Sequence, residues 1–294
     1  MMNLKTYWSA RQKEVEKALN QFLPKTTVKP TTMHESMRYS LFAGGKRLRP
    51  ILALAAADVI AEKHLNAIPS ACAVECIHTY SLVHDDLPCM DNDDFRRGKP
   101  TNHKVYGDGI AVLAGDALLT IAFEITAKTK RTSRYSTADF IQELAFASGS
   151  KMLIAGQVGD IEGEGKKANF NQLRWIHERK TAALIASSIR LGAMSANATP
   201  TQLKALTSFG QNLGLAFQVV DDILDITQTT EKLGKSAGKD LVAEKSTYPA
   251  LLGLEGAQKE AKRLTSLSMK AIKPLGKKAE PLLAIADFML SREN

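Results

Sequence analysis

From Pro100 to Pro200 the chain runs without a proline between them. A stretch of that length, rich in alanine and leucine and poor in alternating β-branched runs, is compatible with few architectures that are not helical. Apolar residues recur at helical spacing at Leu4, Trp8, Val15, Leu19 and Phe22, and again at Leu173, Ile176, Leu184, Ile185 and Leu191. The expected fold class is therefore all-α. Breaks are expected at 24–30, 44–50, Pro69, 97–109, 156–165, 198–200, 234–245 and 274–276, which leaves roughly eight to ten helices. With 44% hydrophobic residues among 294 and no long linker, low-complexity tract or repeat, residues 1–294 read as a single domain.

The formal charge of +8 calls for an anionic partner: nucleic acid, a membrane surface or a phosphorylated small molecule. The three cysteines, Cys72, Cys76 and Cys89, form no CxxC pair, which fits a reducing cytoplasm. A zinc site from Cys72, Cys76, His78 and His84 would match no common spacing, so buried thiols are expected instead. Charged residues interrupt the N-terminal segment, unlike a signal peptide. The runs 51–61 and 111–123, broken by Asp58 and Asp116, read as too short to insert in a membrane.

Five carboxylates fall in the eleven residues His84 to Asp94, directly after an apolar helical run. Asp85 and Asp91 are six apart, a spacing that separates them on a regular helix. Pro88 resolves this, because it lacks an amide donor and its ring clashes with the carbonyl of His84, so the helix should end or bulge near Leu87. With Pro88 and Cys89 taken as an insertion, the remainder matches the spacing of Asp221, Asp222 and Asp225. There Gln218 and the three aspartates form a polar stripe at i, i+3, i+4 and i+7 on a helix whose other face carries Leu206, Phe209, Leu213, Val220 and Leu224. Two acid clusters facing each other across a cavity would suit Mg²⁺, whose shell is completed by phosphate oxygens and water.

Basic residues gather near the breaks: Gly44-Gly45-Lys46-Arg47-Leu48-Arg49-Pro50, Arg96-Arg97-Gly98-Lys99, and Lys235, Lys239 and Lys245. Glycine lets the backbone approach a phosphate, and arginine forks match its oxygens. Acid patches interleaved with these clusters would repel a nucleic-acid backbone, so no nucleic-acid partner is expected.

The motifs GGKRLRP, DDLPCMD followed by NDDFRRG, Lys180-Thr181, FQVVDDILD, GKSAGKD and KSTYP, in that order from about Ser36 to Leu252, resemble the trans-isoprenyl diphosphate synthases, closest to the bacterial type of farnesyl diphosphate synthase. The resemblance implies a helical bundle around a deep apolar cavity, a homodimer, and head-to-tail condensation of isopentenyl diphosphate with dimethylallyl and geranyl diphosphate. It implies Mg²⁺ as cofactor, about three ions with substrate bound and Mn²⁺ able to substitute, held by Asp85, Asp86, Asp91, Asp221, Asp222 and Asp225. By the same resemblance, Arg96, Lys180, Thr181, Gln218, Lys235 and Lys245 meet the allylic diphosphate, and Lys180, Thr181 and Gln218 direct the allylic cation. Gly45, Lys46, Arg49, His78 and Arg97 correspond to the isopentenyl diphosphate site.

Lys239 stands where many relatives of that family carry a small polar residue, which leaves open which late lysine meets phosphate. Asp116 is expected to be structural. Tyr80 and Ser81, before the first acid cluster, and the Pro88-Cys89 insertion resemble synthases that stop at farnesyl diphosphate. Geranylgeranyl diphosphate synthase is the alternative, followed by a non-catalytic partner subunit and, more distantly, a terpene cyclase.

Overall fold

The computed structural model describes residues 2–61, 63–166, 169–227 and 246–291. Thirteen α-helices occur among them: α1 (Leu4–Phe22), α2 (Thr31–Leu41), α3 (Leu48–Ile60), α4 (Ile68–Asp85), α5 (Asn102–Tyr106), α6 (Asp108–Thr126), α7 (Thr137–Ser148), α8 (Leu153–Gly163), α9 (Phe170–His177), α10 (Ala183–Ser195), α11 (Pro200–Thr227), α12 (Tyr248–Ile272) and α13 (Glu280–Ser291). The β-structure described is one antiparallel hairpin, β1 (Phe95–Arg96) with β2 (Lys99–Pro100). This agrees with the all-α expectation.

Burial follows residue chemistry. Helices α3, α4 and α10 are apolar nearly all round and buried on nearly every face, so they form the centre. Helix α1 is amphipathic and buries Val15, Ala18 and Leu19, as its spacing predicts. Helix α4 packs on α6, α3 on α10, and α11 on both α10 and α12. Ser136 and Asp139 form a reciprocal cap on α7, as Asn169 and Gln172 do on α9.

Five sequence expectations need correction, the first being the helix count, since thirteen α-helices among the described residues exceed the roughly eight to ten expected. Pro69 begins a helix, because in the first turn of α4 its missing amide has no intrahelical partner to lose. Residues 156–163 are helical, and their glycines mark close packing rather than a break: the Lys180 backbone presses on Gly156 and the Trp175 ring on Gly159. The region 97–109 contains the hairpin turn and a short helix. The apolar run around 111–123 belongs to the 19-residue α6, which by length and composition alone is long and apolar enough to cross a membrane. In this fold 39% of its most apolar window is buried against the protein.

Candidate active site

The first acid cluster is shaped by the end of α4. The helix stops at Asp85, three residues before Pro88, and the chain folds back, with the Asp91 amide donating to the Asp85 carbonyl at 2.8 Å and the Asp93 amide to that of Asp86 at 3.2 Å. The hairpin then turns through Arg97 (φ 54°) and Gly98 (φ 74°), the two left-handed residues that a tight hairpin turn requires. That turn sends Arg96 back to Asp86, which is buried and accepts from Nε and Nη2 of the same guanidinium at 2.5–2.9 Å. Asp86 is thus engaged by protein.

The second acid cluster lies on the last turns of α11. Gln218 accepts from the Thr181 hydroxyl at 2.8 Å, and its amide donates to Asp222 Oδ1 at 2.9 Å. The other oxygen of Asp222 accepts from the Tyr248 amide at the start of α12 at 3.0 Å. Asp225 is buried, and its Oδ2 has no hydrogen-bond partner. Asp221 is half-buried.

Between the clusters, a π-helical turn at Glu178–Ala182 carries Lys180 and Thr181. Such a turn inserts a residue into the helical register and is frequent at functional sites. Lys180 Nζ pairs with Asp160 of α8 at 2.6 Å. The pair depends on Gly156, because any Cβ there would collide with the Lys180 backbone. Burial pushes the Asp85 carboxyl up to about 6; Asp91 and Asp160 add to the shift, while Lys180 and Arg96 oppose it. Asp85, Asp91, Asp160 and Lys180 therefore share one electrostatic space.

The glycine-rich loop makes a separate, cationic wall. Gly45 has φ 121°, and a Cβ there would lie 2.6 Å from the Arg97 guanidinium, so only glycine fits. Arg47, also left-handed at φ 52°, is almost wholly buried and donates to Glu75 at 2.8 Å and to the Leu41 carbonyl at 2.7 Å. Burial lowers the Arg49 guanidinium, while Glu75 and then Asp221 pull it back up, which places Arg49 within reach of the α11 acid row. Burial, then Arg49, Arg97, Arg96 and Arg47, keeps His78 well below the usual imidazole range and hence neutral.

Most of the predicted site residues thus face one region, bounded by the end of α4, the π-helical turn, the end of α11 and the two basic loops. Lys235, Lys239 and Lys245 lie outside the described residues. Sequence reasoning missed Asp160, which sat in a stretch read as a break, and Glu75, whose buried pairing takes Arg47 out of the exposed basic cluster in which it was counted. Asp116 is exposed, its Oδ1 3.9 Å from His84 Nε2. Tyr80 is buried in the apolar cluster that α4 shares with α6, its ring edge-on to His84 at 5.7 Å, while Ser81 caps its own helix turn by donating to the His78 carbonyl. Pro88 and Cys89 are exposed on the loop. Cys72 and Cys76 are buried thiols, as expected.

The donor set fits Mg²⁺. It is all oxygen, it holds a carboxyl, Asp85, that burial and then Asp91 raise, and it includes the unpartnered Asp225 Oδ2. Among the described residues no three ligating side chains converge on one point, so an ion would draw the rest of its shell from a ligand and water. A groove of about 590 Å³ lies beyond the π-helical turn, lined by Met152, Arg174, Ala182, Ala186, Arg190 and Leu215, and none of the aspartates named above lines it.

The polyprenyl synthetase family model matches residues 30–282. The chain belongs to the polyprenyl synthetase family. This polyprenyl synthetase is 49% identical to the chloroplastic geranylgeranyl pyrophosphate synthase of Capsicum annuum, over 99% of this chain and 79% of that protein. Its fold matches an FPP/GFPP synthase from Zymomonas mobilis at 35% identity and TM-score 0.87, covering 98% of this chain and 99% of that one. It also matches a geranyltransferase from Helicobacter pylori complexed with magnesium and isoprenyl diphosphate, at 32% identity and TM-score 0.86 over 99% and 98%. The protein is a trans-prenyltransferase with the helical-bundle fold of these synthases.

Proposed function

We propose that this polyprenyl synthetase adds isopentenyl diphosphate to allylic diphosphates and ends at the C20 product, geranylgeranyl diphosphate. The observation that carries this length is the 49% identity, across nearly the whole chain, to a geranylgeranyl pyrophosphate synthase. A second reading, arrest at C15, rests on Tyr80, whose buried ring stands one turn before Asp85.

In this proposal Asp85, Asp91, Asp221 and Asp225 hold Mg²⁺. Asp86 and Asp222, already engaged by Arg96 and by Gln218 and the Tyr248 amide, orient their clusters. Bound there, Mg²⁺ would supply charge stabilisation to the departing diphosphate. Lys180 and Arg96 hold its remaining oxygens, with Lys235 and Lys245 as further expected contacts. Isopentenyl diphosphate takes the wall made by Gly45, Lys46, Arg49 and Arg97, and neutral His78 offers a hydrogen bond without added charge.

The allylic C–O bond breaks, the isopentenyl double bond attacks the resulting cation, and a proton is lost to the released diphosphate. The Thr181 hydroxyl and the Gln218 amide, tied together at 2.8 Å, present fixed dipoles to the cation without a free nucleophile. A homodimer is supported by Val112 and Leu113, which α6 leaves exposed at 40% and 49%. A cytoplasmic location belongs to the same proposal, on the ground that the three cysteines include no CxxC pair.

The test incubates the purified protein with Mg²⁺, isopentenyl diphosphate and, separately, dimethylallyl, geranyl and farnesyl diphosphates, with a metal-free control. Metal-dependent C20 product from all three primers is expected. Accumulation of C15 with farnesyl diphosphate left unused would favour the Tyr80 reading, and Tyr80→Ala should then release elongation to C20. No condensation with any primer would reject the proposal.

A further inference from the structure

Three consecutive carbonyls of the glycine-rich loop are each held by a different side chain. The Gly44 carbonyl accepts from Arg97 of the hairpin. The Gly45 carbonyl accepts from Gln12 Nε2 at 3.2 Å, and the Lys46 carbonyl from Trp8 Nε1 at 2.9 Å. Trp8 and Gln12 are one turn apart on α1, so one helix face supplies both donors. Glu16, a turn further on, reaches Arg47 Nε at 3.7 Å.

Helix α1 is itself fixed against α3. The Tyr7 hydroxyl donates to Asp58 at 2.7 Å, and Arg11 pairs with the same carboxylate at 3.3 Å. His64 bridges Asp58 and Glu14 at 2.7 and 3.0 Å. Trp8 also meets Phe288 of α13 edge-on at 5.7 Å. The loop is therefore braced against a rigid surface; Gly44 and Gly45 reach positive φ freely, whereas Arg47, at φ 52°, holds a left-handed conformation that a non-glycine residue rarely takes.

We infer that Trp8 and Gln12 are positioning residues for the isopentenyl diphosphate site: by holding the Lys46 and Gly45 carbonyls against α1, they fix the loop that carries Lys46 and leads into Arg49 in the first turn of α3. This rests on the assignment of that loop under the proposed function. A carbonyl turned toward ligand would repel diphosphate oxygens, whereas one bound to α1 is kept out of the way.

The test uses the full chain carrying Trp8→Phe and Gln12→Met, which remove the donors and keep apolar bulk. Titration calorimetry with isopentenyl diphosphate in EDTA reads the loop without turnover. The double variant should bind about five- to twentyfold more weakly, as expected for losing two neutral hydrogen bonds. In the assay with Mg²⁺, the KM for isopentenyl diphosphate should rise while kcat and the KM for geranyl diphosphate stay within about twofold. Trp175→Phe, on the exposed side of α9, should change none of these.

An unchanged dissociation constant would overturn the inference. So would parallel weakening of both substrates with a fall in Tm, which would mark general loosening. A wild type that condenses its substrates but shows no titration in EDTA would overturn it too, leaving the proposed function intact. Absence of condensation alongside normal titration would instead remove the function and keep the brace.

Discussion

Asp85 is held in its charged form at some cost while no cation is bound, because burial and the neighbouring Asp91 and Asp160 raise its carboxyl to about 6. Replacing it by asparagine should remove that repulsion. In EDTA at pH 7.5, Asp85→Asn is expected to raise Tm by roughly 2–5 °C. The same variant should lower turnover about a thousandfold or more, since the carboxylate is needed where charge develops. Calorimetry and product assay on one preparation check both. His177 gives a second residue-scale expectation. Burial pushes its imidazole down to about 4, its ring lies against Tyr248, and its Nδ1 has no hydrogen-bond partner. A depressed imidazole pKa means that the unfolded chain binds the extra proton, so the stabilisation is full above about pH 6.5 and is lost as pH falls toward 4. Urea unfolding at pH 7.5 and 4.5 should show a steeper loss in wild type than in His177→Gln, by roughly 2–4 kcal/mol.

At the scale of elements, α8 and the π-helical turn form one working unit. Gly156 allows the backbone of Lys180 to approach, and Asp160, one turn along α8, then meets the ammonium. Gly156→Ala should displace the turn, lowering stability by about 1–3 kcal/mol and activity more than this loss of folded protein explains; circular dichroism melting with kinetics below Tm separates the two. The same unit shows where sequence reading stops. The α11 stripe and the chain reversal at Pro88 are local, written in spacings of a few residues, and so could be read directly. The pairing of Lys180 with Asp160 spans twenty residues, and that of Arg47 with Glu75 spans twenty-eight. Neither leaves a periodic trace. In α8 the glycines that mark close approach look, in one dimension, like those that end helices.

At the scale of the molecule, the two acid clusters and the cationic loop come from segments far apart in the chain, and the buried α3, α4 and α10 fix the distance between them. The general reading of two anion sites was legible because each cluster advertises its charge locally, whereas the alignment of the two is a property of the packed bundle. An assembly prediction belongs here. If exposed Val112 and Leu113 meet a second copy, as the proposed homodimer has it, wild type should sediment as a dimer and Leu113→Asp, at the same concentration, as a monomer. The run from Thr181 through Gln218 and Asp222 to the Tyr248 amide has a different consequence. Each side chain occupies its neighbour's hydrogen-bonding capacity, so the three positions 181, 218 and 222 form one epistatic block. Random libraries that change one codon at a time will find almost every path through 181, 218 and 222 closed. Laboratory evolution toward new primers will accumulate its tolerated changes elsewhere, or must move these positions together.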